Sequence, residues 1–102
     1  SEAGQGGPNQ EFALGASLWI DQIGDVVIVG QDSDGTDGPT DIAGGIVDNW
    51  TVSRAWSLGI DIYEALSRHD VTPVLLKLED AILTGATGTN VNDIKLMLVM
   101  PR

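Results

Sequence analysis

The run Val26-Val27-Ile28-Val29 constrains the fold most, because four consecutive β-branched residues suit a strand covered on both faces and disfavour a helix. It leads almost directly into Asp32-Ser33-Asp34-Gly35-Thr36-Asp37-Gly38-Pro39-Thr40-Asp41. Four like charges in ten residues repel one another, and two glycines with a proline exclude regular structure, so this segment reads as a shaped loop at a strand end. Ligands of α/β proteins bind at such ends.

The flanking segments supply helices and further strands. Phe12, Ala16, Trp19 and Ile20 share one face at helical spacing, widened by Ala13 and Leu14, which predicts a helix with a buried stripe over 10–20. Thr51 to Leu58 forms a short helix stopped by Gly59, and Asp61 with Glu64 is a capping-box pattern opening Ile62 to Arg68. Thr72 reads as an N-cap and Pro73 as the first helical residue of Val74 to Asp80. The small apolar stretch Ile42-Ala43-Gly44-Gly45-Ile46-Val47 fits either a short helix or a strand. Ile94 to Met100 is a second apolar run, expected near the sheet centre. The expected fold class is α/β: a single compact domain over residues 1–102, with a parallel or mixed sheet layered with helices.

Composition narrows the function classes. Fifteen acidic against five basic residues give a formal charge of −10, which opposes nucleic acid and anionic membranes as partners. No cysteine is present, which removes thiolate metal sites and makes a cytoplasmic setting the expectation. The apolar runs are shorter than the roughly 18–20 residues that span a bilayer. No methionine opens the chain, so it reads as a fragment of a longer protein.

Several familiar sites are excluded. The single histidine, His69, rules out His-rich zinc sites and sits at a helix end, where a surface role is expected. Neither Lys77 nor Lys95 follows a P-loop pattern, and Gly4, Gly6 and Gly7 do not complete a dinucleotide fingerprint. An EF-hand register starting at Asp32 fails, with Asp37 at the invariant glycine position and Ala43 where the bidentate glutamate belongs. Two readings of the acidic loop stand: its carboxylates converge on Mg²⁺ with a ligand phosphate, or Asp34, Asp37 and Asp41 accept from nearby backbone N–H groups in Asx-type turns. Gly6-Gly7-Pro8-Asn9, leading into a helix, offers backbone N–H groups to a carboxylate or phosphate. Thr87-Gly88-Thr89-Asn90-Val91-Asn92-Asp93 offers neutral donors and acceptors suited to a polyhydroxy or carboxylate ligand, or caps itself as a turn. Trp19, Trp50 and Trp56 are too scattered for a stacking platform, which leaves the core or an interdomain surface.

Three segments together resemble the MOFRL domain, the C-terminal part of class II glycerate kinases that are also called hydroxypyruvate reductases. They are Asn9-Gln10-Glu11 after two glycines, Asp34 to Asp41 followed by Ala43-Gly44, and Thr87 to Asp93. The resemblance implies a larger two-domain enzyme, whose N-terminal Rossmann-like domain lies outside this chain. It implies ATP- and Mg²⁺-dependent phosphorylation of D-glycerate to 2-phosphoglycerate in a cleft between the domains. It further implies catalytic roles for Asp34 and Asp37, with Asp34 at the metal. Gly7, Asn9, Gln10, Glu11, Thr40, Asn90, Asn92 and Asp93 would contact the hydroxy-acid substrate or support that loop. Hydroxypyruvate reduction, or a structural or dimerising role, are the alternatives. The family usually carries arginine where this chain has Pro8, and proline provides neither charge nor N–H.

Overall fold

The computed structural model describes residues 6–32, 37, 42–82 and 93–99. Helix α1 (Pro8–Trp19) is followed by strands β1 (Val26–Asp32) and β2 (Gly44–Asp48). Three short helices follow, α2 (Thr51–Ser57), α3 (Ile62–Ser67) and α4 (Thr72–Lys77), then strands β3 (Ala81–Ile82) and β4 (Asp93–Val99). The strands form one sheet in the order β3-β2-β1-β4, and helix α1 lies across β1 and β2 on one face. The expected α/β class and single domain match this arrangement.

Two expectations are corrected by the pairing. Every described pair is antiparallel, where a parallel or mixed sheet was expected. The apolar run was ambiguous because β1 is central and apolar on both sides: Val26, Ile28 and Gly30 are buried beneath α1, while Val27 and Val29 are half-covered on the other face. The second correction concerns Ile94 to Met100, whose described part, β4, lies at the sheet edge and not at its centre. Its apolar residues stay exposed, with Leu96 at 48% and Met97 at 61%.

The close seat of α1 on the sheet depends on glycine. A Cβ on Gly30 would stand 2.5 Å from the Asn9 carbonyl oxygen and 2.9 Å from the Phe12 ring, so a side chain there would lift the first turn of α1 away. With the helix seated, Ala13, Leu14, Val26, Ile28, Val47 and Leu75 close the core. The buried stripe of α1 is Asn9, Gln10, Ala13, Leu14 and Ser17. Phe12 and Trp19, which the helical pattern had placed on the buried face, are exposed.

Helices α2, α3 and α4 end in the same way. Residues Gly59, His69 and Glu79 adopt positive φ of 75°, 55° and 60°. In each case the next amide donates back to a carbonyl five residues earlier: Ile60 to Ala55, Asp70 to Ala65 and Asp80 to Leu75. This is the Schellman termination, and only Gly59 advertises it by residue type. The Asp61 carboxylate accepts from the Glu64 amide at 3.2 Å, as the capping-box pattern predicts. Thr72 is no N-cap: it lies within α4, and Val71 precedes the helix without a side-chain cap. The Thr72 hydroxyl is turned inward and donates to Gln10 Oε1.

A second polar cluster ties the helices to the sheet. Arg54 on α2 donates to Asp48 at the end of β2 (3.2 Å) and to Asp80 before β3 (2.8 Å). Burial pushes the Asp80 carboxyl above its ordinary range, and the adjacent Arg54 guanidinium offsets this only in part.

Two outcomes follow from this packing. Gly30→Ala should destabilise the protein by about 1–3 kcal/mol through overpacking, whereas Gly15→Ala, whose Cβ meets nothing within 4 Å, should stabilise α1 by about 0.5–1 kcal/mol. Urea unfolding midpoints check both. For Asp80 the folded carboxyl holds its proton more tightly than the unfolded one, whose value is 3.8. Its contribution to stability is therefore full below 3.8 and is lost as pH rises through the raised folded value. Stability measured against pH should show the advantage of wild type over Asp80→Asn shrinking across that window.

Candidate functional site

The polar centre of the molecule lies where α1 begins. Gly7 is the N-cap of α1 with no capping side chain of its own, and Pro8, at the first helical position, has no amide to satisfy. The unsatisfied donors of the first turn are then the Asn9 and Gln10 amides. Asp37, 27 and 28 residues away, accepts both: Asn9 N donates to Oδ1 at 3.0 Å and Gln10 N to Oδ2 at 2.7 Å. The Asn9 side chain adds a third donor to Oδ1 at 3.1 Å. A carboxylate at a helix N-terminus is favoured by both hydrogen bonding and the helix dipole.

The approach is too close for any side chain on the helix cap. A Cβ on Gly7 would fall 2.3 Å from the Asp37 carbonyl oxygen and 2.6 Å from Cγ of its carboxylate. The Asp37 amide donates in turn to Ile42 O at 2.8 Å, which ties Asp37 to the chain that leads into β2. Gln10 extends the junction in two directions, donating to Asp37 O at 3.4 Å and accepting from Thr72 at the start of α4. Asn9, Gln10 and Asp37 are fully buried.

The structure brings together Gly7, Asn9, Gln10 and Asp37. The Gly6–Asn9 segment was expected to present its N–H groups to an external carboxylate or phosphate, and the carboxylate it meets is internal. The Asp37 side chain thereby caps the first turn of α1. Glu11 turns away from this centre, its Oε1 lying 2.9 Å from Nδ1 of His69 in the turn between α3 and α4. Asp34, Thr40, Asn90 and Asn92 lie outside the described residues. Asp93 opens β4 and is the register partner of Asp32, so the end of β1 and the start of β4 lie side by side. Trp19, Trp50 and Trp56 are all exposed, which removes the core reading.

Sequence reasoning missed the Gln10–Thr72 and Glu11–His69 contacts, and with them the part α4 plays in the site. No local signal marks them, since the partners are 62 and 58 residues apart. Among the described residues, no group of three or more His, Cys, Asp or Glu side chains could hold a metal ion.

Residues 1–93 match the MOFRL family model. The chain belongs to the MOFRL family. A glycerate 2-kinase of Pyrococcus horikoshii is 47% identical over 96% of this MOFRL chain, which spans 22% of that relative. A crystal structure of glycerate kinase from Thermotoga maritima superposes with a TM-score of 0.93 at 43% identity, covering 98% of this chain and 24% of that one. An Agrobacterium vitis relative, 38% identical over 94% of this chain, carries a hydroxypyruvate reductase name. The MOFRL chain thus spans about a quarter or less of the length of the relatives it matches.

Asp37→Ala should remove the acceptor for two buried helix amides and lower stability by about 2–3 kcal/mol. Asp37→Asn should recover only part of that, because its amide group presents donors to donors. Thermal and urea unfolding of the two variants check the order wild type, Asn, Ala.

Proposed function

We propose that this MOFRL chain is the C-terminal module of a glycerate 2-kinase and supplies one wall of an interdomain site that phosphorylates D-glycerate to 2-phosphoglycerate. The observation that carries the reading is the 47% identity to a glycerate 2-kinase over nearly the whole chain. The rest of the site, including the Rossmann-like N-terminal domain, belongs to the remainder of a cytoplasmic polypeptide. Phosphoryl transfer depends mainly on positioning and charge neutralisation. A buried carboxylate that locks Gly7, Asn9 and Gln10 at the tip of α1 gives the wall the rigidity such positioning requires.

In this reading ATP is the phosphoryl donor and Mg²⁺ neutralises its phosphates. Asp37 does not fit a Mg²⁺ ligand, because both its oxygens already accept N–H donors and the residue is fully buried. It acts through Asn9 and Gln10 as a positioning residue. Asp34 remains the candidate metal ligand, with Thr40, Asn90, Asn92 and Asp93 on the substrate side. Glu11, which meets His69, holds the outer edge of the wall. The second reading is hydroxypyruvate reduction, favoured by the name of the Agrobacterium relative.

The full-length protein should release ADP in a reaction that requires both D-glycerate and ATP. Oxidation of NADH by hydroxypyruvate, with no glycerate-dependent ADP release, would reverse the assignment. Asp37→Asn should lower kcat/KM for glycerate by about 10- to 100-fold, as a misplaced wall would.

A further inference from the structure

We infer that the sheet face opposite α1 is covered, in the full-length protein, by apolar side chains from the part of the same polypeptide that lies outside this chain. Cross-strand register assigns the residues to faces. Val29 pairs with Ile46 on one side and Leu96 on the other, Val27 pairs with Leu98, and Gln31 pairs with Ile94. Residues directly opposite in an antiparallel pair share a face, so Val27, Val29, Ile46, Ile94, Leu96 and Leu98 form one contiguous apolar surface across three strands. Ile46, Ile94, Leu96 and Leu98 are 40 to 49% exposed among the described residues, whereas α1 packs against β1 and β2 from the other face. Antiparallel sheets that end at water alternate apolar with polar residues. Here Gln31 and Asp48 are the polar side chains at these register positions, and the surface between them is apolar.

The edge of the helix layer repeats the pattern. On the α1 side, Phe12, Ala16, Trp19, Lys95 and Met97 line an open groove of about 360 Å³ between the helix and β4. The exposed stripe of α1 and both faces of β4 are therefore built for an interior position. An apolar surface of this extent marks an interface.

Two features select the occupant. This chain spans 22–25% of its relatives, and its fold persists inside a chain four times as long at a TM-score of 0.93, so about three-quarters of such a polypeptide must pack somewhere on or beside it. A second copy of this segment is the poorer partner, because its 102 residues carry a formal charge of −10 and like charges repel. This inference rests on the chain being one part of a longer kinase polypeptide.

The chain has no cysteine, so single thiols report its surface directly. In the full-length protein with any other cysteines replaced, Ile46→Cys and Leu98→Cys should react with a maleimide at least about tenfold more slowly than Lys77→Cys on α4. The three should react equally in urea. Labelling of the two sheet positions as fast as Lys77→Cys would overturn the inference, and protection that disappears on dilution would overturn it in favour of a second copy. Carbene footprinting of Ile46, Leu96 and Leu98 repeats the comparison on the unsubstituted protein, where strong labelling in the native state would again contradict it. Neither readout measures turnover, so a covered face in a protein without kinase activity would remove the kinase reading alone.

Discussion

A single buried carboxylate joins the parts of this domain that are far apart in sequence. Asp37 replaces the capping side chain that Gly7 lacks, and it satisfies both amides left open by a helix that starts with proline. Its removal would leave two buried N–H groups without an acceptor at the positive end of the helix dipole. The position of α1 sets the rest, because α1 is the element that contacts β1, β2 and all three short helices. Gly7 and Gly30 are the steric counterpart, keeping side chains out of the two places where α1 and its partners touch backbone to backbone.

The same arrangement changes how the acidic loop is understood. Four aspartates in ten residues suggested a cation site, and Asp37, one of the two that are described, is turned inward, where helix amides donate to it. That makes Asp37 a device for orienting Asn9 and Gln10, while Thr72 braces Gln10 from the opposite side. Pro8, which stands at a position usually held by arginine, has a local benefit. Its fixed φ suits the first helical position, and its missing amide leaves one fewer donor for Asp37 to serve.

What was legible in the residues was mostly local. The capping box at Asp61 and Glu64, the glycine stop at Gly59 and the strand at Val26 to Val29 each announce themselves within a few positions. The stops at His69 and Glu79 did not, because non-glycine residues there adopt positive φ under tertiary constraint. Thr72 was misread as a cap because a threonine before proline has two uses, and only the neighbouring Gln10 decides between them. Strand order was misjudged for a different reason. Apolar content on both faces of β4 reads as a central strand, and within this chain β4 is at the edge. The site was legible through its three signature segments, but the way Asp37 reaches α1 depends on contacts 27 and 28 residues apart, for which a linear pattern carries no signal.

The account stands on the Asp37 side chain that accepts from the first turn of α1. Amide hydrogen exchange at Asn9 and Gln10, resolved by NMR in wild type and Asp37→Asn, tests this most directly. Exchange at both amides should be strongly protected in wild type and should accelerate by at least about tenfold in the variant while the amides of β1 stay protected. Unchanged protection at Asn9 and Gln10 in the variant would contradict it, showing that the helix start is held by something other than this carboxylate.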